Sequence, residues 1–397
     1  MGAFLGLRRA TVGVLVVVVL VGSGEHLAER FLPIYLLALG GGPILIGLLQ
    51  AMDNLLSALY SYPGGYLADR IGPRRSLVVF NLVAMAGYAI VIAIPAWPAV
   101  LGGAILFISW SAISAPATLG LVYRVLPAGK RTMGVTMHSL VRRVPMALGP
   151  LIGGVFIAVW GERDGVRIAF IAALALAVIA LVVQQRMIPV DPPSQHPTQA
   201  FRPRALLRRM SPSLRHLLVS DILIRFCEQI PYAFVVVWAM KTIESPVSSV
   251  QFGVLTTIEM ATAVLVYIPV AAAADRLAKK PFVLATFGFF TVFPLVLLVS
   301  RSFGWLVVAF VVRGLKEFGE PTRKSLIMDL SPEDARSAMF GLYYLIRDLI
   351  VSLAALGGAF LWQVSPEANL ITAFGFGVLG TIAFAVWGRG VGVARTV

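Results

Sequence analysis

The sequence predicts an all-α membrane protein with twelve transmembrane helices arranged as two pseudo-symmetric six-helix bundles. Of its 397 residues, 58% are hydrophobic and only 13% are charged, and the mean hydropathy is +0.87. An ordinary globular domain is far less apolar. Apolar stretches of about 20 residues, long enough to cross a bilayer as helices, recur along the chain. The two halves of the chain also resemble each other.

The apolar stretches define twelve predicted spans, numbered in chain order. Glycine and proline interrupt many of them, which bilayer helices tolerate when neighbouring helices satisfy the freed backbone groups. The predicted ranges are 10–38, 44–67, 76–97, 99–123, 133–160, 168–185, 216–240, 248–273, 281–300, 303–322, 337–362 and 368–388.

A polar stretch divides the spans into two sets of six. Residues 186–215 are rich in proline and arginine and predict a cytoplasmic linker between bundles 1–185 and 216–397. Asp69 and Asp53 correspond to Asp275 and Glu259 at an offset of 206. Gly153 and Gly154 correspond to Gly357 and Gly358 at an offset of 204. This is the pattern of a duplicated unit, as in secondary transporters with a substrate site between parallel halves.

The basic residues predict the orientation of the chain. The formal net charge is +14, and 22 of the 33 Lys and Arg lie in segments that are cytoplasmic if both termini are. The positive-inside rule therefore predicts cytoplasmic termini. Basic residues beside anionic lipid explain the charge without nucleic acid. We expect an integral protein of a bacterial inner membrane that acts as a monomer without a cofactor.

The segment GYLADRIGPRR at residues 65–75 lies between spans 2 and 3. It resembles the signature of the major facilitator superfamily, and the resemblance implies the fold and the alternating-access transport of that family. It also implies a conformational latch that docks on the cytoplasmic end of span 11. An alternative is that the segment only anchors the loop to lipid. The latch residues are Gly65, Asp69, Arg70, Gly72 and Arg74.

A second motif, LGPLIGG, lies on span 5 and contains Gly149, Pro150, Gly153 and Gly154. It resembles the end of a motif found in proton-coupled drug and metabolite exporters of the same superfamily. The match is partial, because Pro145 stands where that motif has an earlier glycine. Small residues also serve simple helix packing, so both interpretations stay open.

Charged residues at membrane depth indicate where the chemistry lies. Each costs roughly 2.5–3.5 kcal/mol to insert, so such residues must pair or line a watery cavity. On span 7 and on span 10 they form one polar stripe each at 100° per residue. The family resemblance places spans 1, 4, 7 and 10 around the cavity. The cavity candidates are His26, Arg30, Arg142, Arg143, Asp221, Arg225, Arg313, Lys316 and Glu320.

Span 1 carries Glu25 and Glu29 on one face at i,i+4 spacing. Two carboxylates so close at low dielectric disfavour double ionisation, so one of them would exchange protons near neutral pH. Alternatively, Arg30, Arg225 or a base of span 10 neutralises both acids permanently. No other histidine or cysteine at membrane depth joins His26, so no metal site is expected. The proton-coupling candidates are Glu25, Glu29, Glu228 and Glu317.

Asp53 and Glu259 occupy equivalent points of spans 2 and 8. We expect them to pair at the interface between the halves, with Arg347 or Arg143 as a partner. Asp348 is a further candidate interface charge beside Arg347. A structural role and a gating role are equally compatible with the pattern.

The sequence therefore predicts a proton-coupled efflux antiporter for a small molecule. The alternative is a symporter or uniporter for an organic anion, which the arginines at membrane depth would attract. An enzyme is not expected, because the chain has no nucleophile with a base, no phosphate loop and no metal set. A receptor with a transporter fold is a further alternative.

Overall fold

The computed structural model describes residues 9–108, 110, 114, 131–188, 203–274, 279–332 and 336–388. These residues are helical almost throughout and contain no β-strand. Eight of the described helices are long and apolar enough to cross a membrane, and one bent pair of helices forms a ninth. The predicted all-α membrane fold is confirmed.

The helices follow the order of the predicted spans. The remainder of predicted span 4, apart from residues 108, 110 and 114, lies outside the described residues. A short helix, Pro203–Arg209, lies in the predicted linker. The spans are Arg9–Glu29 with Leu32–Ala38 (span 1), Pro43–Ile71 (2), Pro73–Ala93 (3), Trp97–Phe107 (4), Arg131–Met187 (5 and 6), Pro212–Tyr232 with Val235–Val237 and the π-helix Trp238–Thr242 (7), Ser249–Ala274 (8), Lys279–Val299 (9), Phe303–Leu315 with Glu320–Asp329 (10), Arg336–Val364 (11) and Pro366–Trp387 (12).

Two of the predicted loops, between spans 2 and 3 and between spans 5 and 6, are reduced to a single glycine each. Gly161 has φ of 80° and breaks Arg131–Met187 into spans 5 and 6. Gly72 has φ of 87° and is the single residue between spans 2 and 3. Glycine adopts positive φ without steric cost, and Pro73 suits the first helical position. Span 2 therefore continues past its predicted end at residue 67, and span 3 begins before its predicted start at residue 76.

Span 10 differs most from its prediction. Its first helix ends at Leu315, residues 316–319 form a turn, and a second helix begins at Glu320. The backbone N–H of Gly319 donates to the Thr286 hydroxyl at 2.5 Å, and a Cβ at position 319 would overlap the Phe282 carbonyl. The sequence predicts a cytoplasmic loop at residues 323–336, between spans 10 and 11, but residues 323–329 are helical. The break brings this second helix against span 9.

The chain forms two compact units. Unit 1 takes its described residues from Met1–Leu45, Leu55–Thr198 and Ser248–Thr257, and unit 2 from Ile46–Asn54, Gln199–Val247 and Ile258–Val397. Residues 46–54 of span 2 therefore belong to unit 2, and residues 249–257 of span 8 belong to unit 1. The predicted bundle boundaries stay a prediction.

The internal repeat is visible in the packing of each unit. In unit 2, a Cβ at Gly47 of span 2 would lie 2.9 Å from the Ala355 carbonyl oxygen of span 11. In unit 1, a Cβ at Gly253 of span 8 would lie 2.7 Å from the Pro150 carbonyl oxygen of span 5. Gly47 and Gly253 are 206 residues apart, which is the offset of the sequence repeat. The same glycine contact is therefore made once in each unit.

Candidate functional site

The end of the first helix of span 1 holds three titratable side chains, Glu25, His26 and Glu29, which we call the span-1 group. Glu25 is 9% exposed. The Nδ1 atom of His26 forms a hydrogen bond and an ion pair with the Glu29 carboxylate, three residues later. The helix ends at Glu29, and the chain turns at residues 30–31 before the next helix. The span-1 group therefore sits at a break in the helix.

Three further polar residues interact with the span-1 group. Arg30 interacts electrostatically with His26 and Glu29, and Arg142 of span 5 interacts with Glu25. Tyr88 of span 3 is 1% exposed and lies within electrostatic range of both glutamates. The predicted candidates Glu25, His26, Glu29, Arg30 and Arg142 are therefore brought together, whereas Tyr88 was not predicted. Arg143 is half-buried and interacts electrostatically with Arg142.

The glycine motif of span 5 fixes the position of the span-1 group. A Cβ at Gly149 would lie 2.7 Å from the Cβ of His26, and a Cβ at Gly153 would overlap the Leu27 carbonyl oxygen. A Cβ at Gly154 would overlap the Ser249 carbonyl, and the Ser249 hydroxyl donates to the Gly154 carbonyl at 2.8 Å. Only glycine permits contacts this close, so the motif holds the backbone of span 5 directly against His26 and Leu27.

The predicted latch is described only in part. Arg70 is exposed, and Arg74 donates to the Gln185 carbonyl oxygen at 2.8 Å. The Gln184 side chain donates back to the Arg74 carbonyl at 2.7 Å, which ties the start of span 3 to the end of span 6. The surroundings of Gly65 and of the Asp69 side chain are not among the described features of the structure. The latch stays a prediction.

Unit 2 contains a cluster of charges between spans 7, 8 and 10. Glu228 lies 2.5 Å from Nη1 of Arg225 and 2.8 Å from Nζ of Lys316. Glu259 lies 3.3 Å from Nε of Arg313 and 3.7 Å from Nζ of Lys316. Both acids therefore have two cationic neighbours. Glu228 is an ion-pair partner in this structure, and this placement gives no support to its predicted role as a proton carrier.

A second part of the cluster is almost completely buried. Asp221 and Arg323 are each 1% exposed and form a direct ion pair. Arg323 also binds Glu320 at 2.7 Å, and the Tyr343 hydroxyl donates to Asp221 at 3.0 Å. Arg347 of span 11 lies 3.5 Å from Asp221.

The two parts are continuous, because Arg225 lies 3.7 Å from Glu320. Asp348, 2.7 Å from Arg347, extends the second part. The residues alternate in sign along their contacts, and we call them the charge chain. In order, its ten members are Arg313, Glu259, Lys316, Glu228, Arg225, Glu320, Arg323, Asp221, Arg347 and Asp348.

The charge chain corrects one sequence interpretation and revises another. Arg323 falls in the predicted cytoplasmic loop, but it is a buried member of the charge chain. The sequence feature that could have indicated this is its i,i+3 spacing from Glu320, with which it pairs. Glu259 contacts Arg313 and Lys316, and Arg347 contacts Asp221 and Asp348, all inside unit 2. The predicted pairing of Asp53 with Glu259 stays a prediction. Asp53 accepts a hydrogen bond from Gln50 at 3.3 Å.

A small pocket opens beside the charge chain in unit 2. It is lined by Glu228, Arg313, Lys316, Phe290 and Phe293 and has room for about one water molecule. Glu317 lies half-buried in the turn that interrupts span 10. Among the described residues, no three His, Cys, Asp or Glu side chains gather as a metal ion would require.

A family profile described as the Major Facilitator Superfamily matches residues 14–243 and again residues 217–392. The chain belongs to the Major Facilitator Superfamily. The uncharacterized MFS-type transporter YfkF of Bacillus subtilis is 30% identical over 129 residues, which are 31% of this chain and 31% of YfkF. The aligned segment therefore spans about a third of that relative. Together with the apolar spans, membership of this superfamily makes the chain an integral membrane protein.

Solved structures of other superfamily transporters share the fold. The peptide transporter POT in complex with sulfate has a TM-score of 0.78 at 14% identity, over 96% of this chain and 94% of that one. The nucleoside transporter NupG has a TM-score of 0.80 at 12% identity, over 96% of this chain and 100% of that one. At such identities the likeness concerns the fold alone. The fold therefore agrees with membership of the Major Facilitator Superfamily.

Proposed function

We propose that this superfamily member is a proton-coupled secondary transporter of a small molecule, working by alternating access as an efflux antiporter. We further propose that it is a monomer in a bacterial inner membrane with both termini in the cytoplasm. The observation that carries the proposal is the span-1 group, in which a histidine and two glutamates lie together at a helix break.

The composition of the span-1 group suits proton transfer. Histidine gains and loses a proton in the physiological range, and Glu29 is hydrogen-bonded to it. Glu25, Arg30 and Tyr88 interact electrostatically with this pair, and Arg142 interacts with Glu25. A proton taken up among them changes the net charge of a buried site. Such a change shifts the equilibrium between a conformation in which the site is exposed to water and one in which it is buried.

The glycine motif supports the proposed direction of transport. Gly149 contacts His26, and Gly153 contacts the residue that follows it. The motif that resembles the one in proton-coupled exporters is therefore in physical contact with the proposed proton site. A rearrangement of span 5 against span 1 would change the surroundings of His26 directly.

The organic-anion alternative has less support. Its basis was the arginines at membrane depth, but Arg142 interacts with Glu25, Arg225 with Glu228 and Arg313 with Glu259. An arginine already beside a carboxylate attracts an isolated anion less strongly. We therefore retain proton-coupled efflux as the principal proposal.

The test is proton flux in proteoliposomes, followed with a pH-sensitive dye while cationic drugs, organic anions and amino acids are screened. Glu29→Gln is expected to abolish pH-driven transport while substrate exchange across the bilayer continues, because exchange needs no net proton movement. Retained exchange also shows that the variant is folded.

The matched control is Glu244→Gln, because this acid is 66% exposed and its partner Arg301 is 69% exposed. The control should keep the parent's proton flux. If Glu25→Gln, Glu29→Gln and the double variant all transport with the parent's pH dependence, the span-1 group is not the coupling site. Substrate transport without any proton movement would replace the proposal with uniport.

A further inference from the structure

The pocket in unit 2 presents both signs of charge and two aromatic rings to the same small space. Glu228 is its acid, Arg313 and Lys316 are its bases, and Phe290 and Phe293 complete the lining. Arg313 is 3% exposed. Among the residues that the structure describes, its Nη2 atom finds no hydrogen-bond acceptor. A buried guanidinium N–H without an acceptor leaves one strong hydrogen bond to be made.

Aromatic rings hold this guanidinium in place. The carbon Cζ of Arg313 lies 5.3 Å from the ring centre of Tyr232, 5.4 Å from that of Phe293 and 5.7 Å from that of Phe310. Cation–π contacts of this kind position the charge without using its N–H donors. The donor therefore stays available to a ligand.

One link of the charge chain can open without leaving a charge alone. If Lys316 separates from Glu228, Glu228 keeps Arg225 at 2.5 Å and Lys316 keeps Glu259 at 3.7 Å. Lys316 also begins the turn that interrupts span 10, so its backbone lies outside the regular helical ladder. Discontinuous helices at membrane depth commonly mark binding sites in transporters.

We propose that the pocket, once widened by separation of Lys316 from Glu228, binds the charged end groups of a small dipolar ligand, an amino acid or a short peptide. This inference rests on the proposed transport function and names its substrate class. The carboxylate of the ligand takes Arg313 Nη2 and Lys316, the ammonium group takes Glu228, and apolar parts lie against Phe290 and Phe293. The ligand thus replaces the Lys316–Glu228 link.

Charge balance selects a dipolar ligand over a simple ion. The ten members of the charge chain contribute five acids and five bases. Lys324 also contacts Glu320, but its side chain is 49% exposed, so its charge is not counted in the buried balance. A ligand with one net charge would leave an unmatched charge in a buried site, which is costly. A ligand with one charge of each sign preserves the balance.

The test is equilibrium binding to the purified full-length protein, measured as the ligand dependence of its melting temperature. The probes are L-phenylalanine and alanyl-phenylalanine, each also in an N-acetylated anionic form and a C-amidated cationic form. Dipolar forms are expected to bind at least about tenfold more tightly than either capped form, because each capped form loses one charged hydrogen bond. No proton gradient is involved, so this result is independent of proton coupling.

Charge variants should reverse the order of the probes. In Glu228→Gln the site gains positive charge and should bind the N-acetylated form at least as tightly as the dipolar one. In Lys316→Gln the site gains negative charge and should bind the C-amidated form at least as tightly as the dipolar one. A merely structural role for either residue would weaken all probes equally.

The control is Lys279→Gln, which alters an ion pair with Asp329. Lys279 is eleven residues before Phe290 on the same helix, about 16 Å away, and this variant should keep the parent's order. If a single pocket variant fails to fold, Glu228→Gln/Lys316→Gln restores neutrality and should lose the dipolar preference. Equal binding of dipolar and capped probes by the parent, or no binding of either dipolar probe, overturns the proposal.

Discussion

Arg323→Gln is expected to destabilise the protein by about 3–5 kcal/mol, since it removes one partner of a buried ion pair. Arg323 and Asp221 are each 1% exposed, and Arg323 also binds Glu320. Glutamine carries no charge, so Asp221 would keep only Arg347 as a cationic neighbour, and Glu320 only the more distant Arg225 and Lys324. The melting temperature of the purified protein should fall on the order of 5–10 °C.

Lys324→Gln is the matched control for this substitution. Lys324 is the next residue, its side chain is 49% exposed, and its Nζ lies 3.5 Å from Glu320. Exposed pairs contribute about 0–1 kcal/mol, so the control should melt close to the parent. Asp221→Asn combined with Arg323→Gln should be less destabilised than the sum of the single variants. Equal melting of Arg323→Gln and Lys324→Gln would contradict the role given to the buried pair.

Gly153→Ala is expected to destabilise the protein and to reduce proton-coupled transport together. The added methyl group would overlap the Leu27 carbonyl oxygen, so spans 1 and 5 must separate. Overpacking of this kind costs roughly 1–3 kcal/mol. Because Leu27 follows His26, the separation also displaces the span-1 group. The measurements are the melting temperature and the dye-reported proton flux.

The internal repeat supplies a matched control for this glycine. Gly357 is the equivalent of Gly153 at an offset of 204, and a Cβ at position 357 would meet no atom within 4 Å. Alanine favours helix over glycine by about 1 kcal/mol. Gly357→Ala should therefore melt at or above the parent temperature with unchanged flux. If both glycine variants behave alike, close contact at Gly153 is not the reason for the motif.

Much of the fold follows from local properties of the sequence. Hydropathy locates the spans because a bilayer helix must be apolar over about 20 residues. The repeat at an offset of 206 reappears as the paired contacts of Gly47 and Gly253. The i,i+4 spacing of Glu25 and Glu29 identifies the part of span 1 where charges gather.

Other features depend on contacts between distant residues and are hidden from local patterns. Residues 323–329 are polar enough to predict a loop, but they belong to a helix that begins at Glu320, and Arg323 of this helix pairs with Asp221 of span 7. The pairing of Glu228 with Lys316 joins residues 88 apart in the chain. Helical geometry gives each polar stripe, but it does not say which stripes meet.

The charge chain has a consequence for how the protein is made. Spans leave the ribosome in order, yet Asp221 of span 7 forms its ion pairs with Arg323 and Arg347, which lie on spans 10 and 11. Until those spans arrive, the acid costs roughly 2.5–3.5 kcal/mol in lipid. A chain stopped after span 9 would leave Asp221 without Arg323 and Arg347, and we expect it to be less stable in the bilayer than the full chain.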